Sequence, residues 1–241
     1  MKKKQAVQVK KWGSPSLGKQ MQVNIYGTGG TPVLAFPDYN GKASDYSSLG
    51  FLDQINEQLT NEYNRFYCVS TVDKDVFNTR TNNPDGRLGL YIQYENYIMD
   101  EVIPFIKDHS GNDFLIVTGV GMGAYHALNF AFKHPETVNK VLAACGRYNI
   151  KPFFNDYFSE LLYYNNPIEY FPNLNDQDII DRIKRLDIRI ITNNKDPYRS
   201  EAEMISDALN DKWIHHSLDL WEVPEKCSYS DYSQMLRNHI P

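Results

Sequence analysis

The chain has 241 residues, 41% apolar and 23% charged, which excludes disordered, collagen-like and membrane-embedded classes and predicts one globular domain over 1–241. Its 25 basic and 30 acidic residues leave a net charge of −5, so no overall field draws it to nucleic acid. Three cysteines, Cys68, Cys145 and Cys227, are too few and too scattered for a disulfide framework or a zinc site, and they fit a reducing compartment.

In chain order, Met1-Lys2-Lys3-Lys4 looks like the start of a signal peptide, but Gln5-Ala6-Val7-Gln8-Val9-Lys10 supplies no apolar stretch behind it. No later apolar run nears the ~20 residues that cross a bilayer, so a cytoplasmic protein without membrane contact is expected. Alternation at Met21, Val23 and Ile25 predicts an antiparallel strand leading into a buried one at 32–36. Further buried strands are predicted at 66–69, 114–117, 141–144, 188–191 and 218–221. Helix-period stretches lie between most of them, at 44–61, 88–108, 122–134, 200–212 and 230–239, and a Ser200/Glu203 capping-box pattern opens the fourth. Asp100 and Glu101 read as a solvated helix face. Strand and helix alternating this often predicts an α/β fold, with a mostly parallel central sheet and helices on both faces.

Segment 148–174 breaks the alternation, crowding aromatic rings among asparagines and prolines, and is expected to form a short lid over one edge of the sheet. Tyrosines number 17 in all, and such rings suit an apolar or sugar-stacking pocket. Equally they suit packing on the core or on a second subunit, which leaves a homo-oligomer open. Of the six histidines, His215 and His216 are adjacent in a strand, point to opposite faces and cannot chelate one metal. His109 and His134 fall near helix C-termini, where the macrodipole favours a cation; His126 is expected in the core and His239 at a surface cap. No metal site and no cofactor is expected.

The most informative segment is Phe114-Leu115-Ile116-Val117-Thr118-Gly119-Val120-Gly121-Met122-Gly123-Ala124, a buried strand running through glycines into a helix. One reading is the dinucleotide fingerprint at Gly119, Gly121 and Ala124. That fingerprint wants an acidic residue after the next strand; Cys145-Gly146-Arg147 stands there and suits only a phosphorylated cofactor such as NADP. The other reading is a nucleophile elbow, G-x-S-x-G, in which glycine at 121 keeps the sharp turn and lacks the hydroxyl.

With the helix 122–136, the segments Phe36-Pro37 before Gly41, Val72-Asp73, Arg87, Gly146-Arg147-Tyr148, Asn166-Pro167 and Trp221 follow in a characteristic order. The chain thereby resembles the esterase D-like family of carboxylic-ester hydrolases, along most of its length. The resemblance implies the α/β-hydrolase fold, and a catalytic triad whose nucleophile falls at Gly121, whose acid falls at Asp196, and whose histidine falls at Cys227. It also implies an oxyanion hole from the Met122 backbone N–H and a donor in the Asp38-Tyr39-Asn40 loop, taken as Tyr39. Asp38, Tyr125, Tyr157 and Tyr163 are expected around the pocket.

In such a triad serine attacks, histidine moves the proton and the acid only orients the imidazole. Two of the three positions are altered here, and they are the two that do chemistry. An oxyanion hole with binding alone leaves ~10³–10⁴-fold acceleration over water, below the ~10⁶ or more typical of enzymes. The function expected is therefore that of an esterase-family homologue without hydrolytic competence, binding a small molecule or a protein partner. Two alternatives stand beside it: a carboxylic-ester hydrolase using Cys227, Thr118 or Ser228 as nucleophile, and an NADP-binding protein. Cys68 and Cys145 read as inert core residues, and Asp196 also reads as a plain turn starter before Pro197.

Overall fold

Eight strands form one sheet in the order β1-β2-β4-β3-β5-β6-β7-β8. They are β1 (Val7–Ser14), β2 (Lys19–Tyr26), β3 (Thr31–Phe36), β4 (Asn64–Val69), β5 (Ile116–Val120), β6 (Lys140–Ala144), β7 (Asp187–Asn193) and β8 (His216–Trp221). Pairing is antiparallel from β1 to β2 and from β2 to β4, and parallel across the rest. The structure is a computed structural model describing residues 7–77, 83–155, 157–223 and 228–240.

The central strands are buried on both faces, so they are continuously apolar, and their alternate residues feed two separate cores. Leu34, Phe36 and Val117 enter one core, Val33, Ala35 and Ile116 the other. Strand β1 escapes the sequence reading because it is an edge: Val7 and Val9 are exposed, and its lysines discourage further pairing.

The helices are α1 (Asp45–Ser48), α2 (Phe51–Gln54), α3 (Asn56–Thr60), α4 (Asp73–Val76), α5 (Pro84–Tyr97), α6 (Ile103–Ser110), α7 (Met122–Lys133), α8 (Glu160–Tyr163), α9 (Pro167–Tyr170), α10 (Gln177–Ile183), α11 (Arg199–Asp211) and α12 (Tyr229–Arg237). The helix predicted over 44–61 is three short pieces, broken first at Gly50, whose φ of 82° is left-handed. A π-helical turn at Ile98–Val102 joins α5 to α6. Pro104 explains it, since its nitrogen has no hydrogen for the carbonyl four residues back.

Two local expectations are corrected. Ser200 does not cap a helix, because α11 already begins at Arg199, which pairs with Glu203 at 2.8 Å; the capping box belongs to Ser228 and Asp231 at α12. Glu101 is not a solvated face residue: it accepts hydrogen bonds from Trp12 Nε1, Ser14 Oγ and the Ser16 amide, tying the π turn to the β1–β2 hairpin. Burial pulls its pKa up, and those donors outweigh burial and hold it below the ordinary range.

The aromatic stretch after β6 is a packed layer more than a lid. Tyr148, Phe154 and Phe171 are buried, Phe171 stacks on Phe132 of α7 with centroids 4.2 Å apart, and Tyr170 donates to Asn129 Oδ1 at 3.0 Å. Rings this large gain more from burial against α5 and α7 than from covering a solvent-filled edge.

Candidate functional site

Strand β5 turns into α7 at one residue. Gly121 has φ 59° and ψ −119°, a conformation that strains any residue with a Cβ. The turn is crowded as well: a Cβ on Gly123 would strike the Phe36 carbonyl, so only glycine lets α7 approach the end of β3. Above β3, residues 37–41 form a tight turn in which the Gly41 amide donates to the Asp38 carbonyl, and Asn40 takes φ 55°.

That turn aims Asp38 at the elbow. Its Oδ1 accepts a hydrogen bond from the Tyr39 amide at 2.7 Å and from the Met122 amide at 3.0 Å. A Cβ built on Gly121 would overlap this carboxylate, lying within 2.6 Å of its Cγ. The two backbone donors expected to form an oxyanion hole thus both hold a carboxylate of the chain itself. The arrangement is electrostatically natural, since the first amides of α7 favour an anion. The Met122 amide is likewise the donor a pyrophosphate would need, which weighs against the dinucleotide reading.

A cavity of about 820 Å³ opens in front of the elbow. Asp38, Tyr39, Gly121, Met122 and Cys145 form its inner wall. Phe77, Arg147, Phe153, Asp196 and Tyr198 line the rest, with Lys74, Pro197 and Tyr232 also contributing. Asp196 stands after β7, where its Oδ2 accepts from the Thr192 hydroxyl at 2.8 Å and its Oδ1 from the Tyr198 amide at 2.9 Å. No histidine contacts it among the described residues. Cys145 is a buried core residue, as expected, and also lines the cavity; it has φ 48°, and its sulfur accepts from Asn193 Nδ2 at 3.2 Å. Cys68 stays inside β4, where burial pushes its thiol pKa up.

The structure gathers Asp38, Tyr39, Gly121, Met122 and Asp196 around one cavity, while Cys227 lies outside the described residues. Three expected pocket tyrosines are elsewhere. Tyr125 is fully buried and donates to the Asn165 carbonyl, Tyr157 donates to Asp85, and Tyr163 packs against the core. Each ring found a partner inside the layer, a fact that composition does not record. Thr118 is buried and donates to the Leu142 carbonyl, and Ser228 is occupied in its capping box. His239 pairs with Asp219 at 3.0 Å rather than with Asp196, and His126 with Asp73 at 2.8 Å. Residues missed from the sequence are Phe77, Tyr198 and Tyr232, distant in the chain and without a shared motif, while Phe153 comes from the aromatic segment expected near the pocket.

The profile of the family described as "Putative esterase" matches residues 14–238. Among solved structures, a ferulic acid esterase superposes with a TM-score of 0.80 at 13% identity, covering 99% of this chain and 97% of that one. An S-formylglutathione hydrolase from Agrobacterium tumefaciens gives 0.73 at 14% identity, covering 98% and 93%. FrmB, an S-formylglutathione hydrolase from Staphylococcus aureus, gives 0.71 at 11% identity, covering 98% and 94%. None of the curated protein sequences compared matches the chain. No helix among the described residues is long and apolar enough to cross a membrane. Likeness at such low identity speaks for the fold alone; the profile, spanning the sheet, the elbow and the Asp196 turn together, speaks for the family, and the chain belongs to the esterase family of α/β-hydrolases.

Proposed function

We propose that this esterase-family member binds a small organic molecule in the cavity beside the elbow and does not hydrolyse esters. The observation that carries the reading is the Asp38 carboxylate, which takes the amides of Tyr39 and Met122 where Gly121 offers no nucleophile. An ester passing to its tetrahedral state develops negative charge on the carbonyl oxygen and needs such amides free. A carboxylate in their place repels that charge: at 4 Å and an effective dielectric of ~20 the cost is about 4 kcal/mol, or nearly 10³ in rate. Thr118 and Ser228, the hydroxyls offered as substitutes, are turned to a backbone carbonyl and a helix cap. Asp196 has its own turn to hold, through Thr192 and Tyr198. Cys68 is a free thiol, which fits a reducing compartment, so the cytoplasm is the location we propose.

The test is ester turnover by the purified chain. With short-chain aryl esters the rate is expected to equal that of buffer. Turnover well above buffer, abolished by Asp196→Asn, would overturn the reading.

A further inference from the structure

The four charged groups on the cavity wall are not equally satisfied. Asp38 holds two amides, and Asp196 holds a hydroxyl and an amide. Arg147 and Lys74 line the same cavity, and neither pairs with a carboxylate within 4 Å among the described residues. Glu201, whose field Arg147 reaches, is engaged by the amides of Tyr148 and Asn149. The four formal charges sum to zero, and it is the two cations that have no carboxylate partner among the described residues.

Arg147 is also held in place. Its guanidinium lies over the Phe153 ring, 4.1 Å from the centroid, and over the Tyr198 ring at 5.0 Å. Its backbone amide reaches the Gly121 carbonyl at 3.4 Å, which fixes its base beside the elbow. Among the described residues its Nε is buried without a hydrogen-bond partner. A stacked, partly desolvated guanidinium with its fork unclaimed is built for a carboxylate or phosphate, because little side-chain freedom remains to be lost and charge-assisted bonds there are poorly screened. Tyr39 lies near-parallel to Phe153, 5° between planes, so flat apolar walls flank the cation.

We infer that the cavity takes an organic anion, with its carboxylate or phosphate head on Arg147 and a flat apolar body against the neighbouring rings. The Asp38 carboxylate keeps such a head away from the elbow and directs it to the arginine. This rests on the binding reading above and adds the chemical class of the ligand.

The experiment compares three probes of one shape on the full chain by calorimetric titration: 2-naphthoate, 2-naphthyl phosphate and the neutral 2-naphthylmethanol. Both anions are expected to bind at least tenfold more tightly than the alcohol, and the tighter of the two identifies the head group. Arg147→Met should erase that preference while leaving the alcohol unchanged, Arg147→Lys should keep part of it, and Lys74→Met should reduce it less than Arg147→Met does. Equal binding of anions and alcohol by the unaltered chain, no binding of either anion at millimolar concentration, or an undiminished preference in a folded Arg147→Met would overturn the inference. The unaltered chain decides the matter even if the variant fails to fold. Hydrolysis of 2-naphthyl acetate by the same preparation would sink the non-hydrolytic reading instead, whatever the anion preference shows.

Discussion

Helix α7 meets two aspartates one turn apart, and they differ in every respect except their contribution to the same loop. Asp38 faces the cavity and accepts the Met122 amide at the first turn. Asp73 is fully buried and bonds the His126 ring at 2.8 Å, with Tyr91 stacked on that ring at 5.8 Å. Its second oxygen takes the Asn40 amide at 3.3 Å, so the sealed pair braces the turn that carries the cavity-facing carboxylate. An Asp–His pair is the part of a hydrolytic triad that looks most diagnostic, yet here it is walled in by Tyr91, Tyr94 and Phe77 and meets no substrate. The pair is sealed in the interior, and among the described residues no histidine hydrogen-bonds Asp38 or Asp196 on the cavity side.

The contrast breaks if both aspartates turn out equally dispensable. Asp73→Ala leaves the His126 nitrogen and the Asn40 amide without an acceptor in the interior, and should cost about 3 kcal/mol, or roughly 10 °C in melting temperature for a chain this long. Asp38→Ala, at a partly exposed site, should cost about 1 kcal/mol or less. Calorimetric melts of the two variants give the answer directly.

Reconstruction of the triad probes the cavity side. Gly121→Ser with Cys227→His supplies the missing nucleophile and base by family resemblance, but the new side chain would collide with the Asp38 carboxylate and face a filled oxyanion hole. Adding Asp38→Ala should therefore raise aryl-ester turnover by about 100-fold over the double variant, the scale of one recovered oxyanion donor. If removing Asp38 changes nothing, the carboxylate is not what blocks the hole.

The sheet and the elbow were legible because buried strands must be apolar on both faces and because a sharp strand-to-helix turn demands glycines, and both constraints act locally. Strand β1 was not, since an edge with one wet face shows lysines where a core strand shows valines. The tyrosines misled because ring count says nothing of partners: Tyr125 of α7 and Tyr157 and Tyr163 of the aromatic segment look like pocket residues, but they are fixed by Asn165, Asp85 and the core. At the site, Gly121 and Asp196 were visible through the family pattern. The Asp38 bond to Met122 joins residues 84 apart in sequence, and nothing near Pro37 marks it. Arg147 was visible as part of the family pattern and as a candidate partner for a cofactor phosphate; its stacking on Phe153 and Tyr198 needs the fold.

A smaller effect sharpens the account of the elbow. Gly121→Ala alone should destabilise by about 1–3 kcal/mol, from a positive φ and from contact with Asp38. In an Asp38→Ala background the contact part disappears, so a double-mutant cycle should show about 1 kcal/mol of coupling. Strict additivity would mean that the backbone strain is the whole cost and that the carboxylate yields freely.

The smallest expected effect lies at the far end of α7, where a third carboxylate is held by lysine and histidine side chains instead of amides. Glu95 accepts from Lys133 Nζ at 2.6 Å and from His134 Nε2 at 2.8 Å, and it is mostly buried. Burial pulls its pKa up, but His134 and Lys133 outweigh burial, so the carboxyl sits below the ordinary glutamate value. A group lowered by folding contributes its full stability above the unfolded pKa and loses it as pH falls through the folded one. Glu95→Gln should therefore cost about 1–2 kcal/mol at neutral pH and make the loss of stability below about pH 5 shallower, with the two curves parallel above that point. If Glu95→Gln and the unaltered chain lose stability in parallel on acidification, Lys133 and His134 are not holding the charge, and the distinction between the two ends of α7 fails.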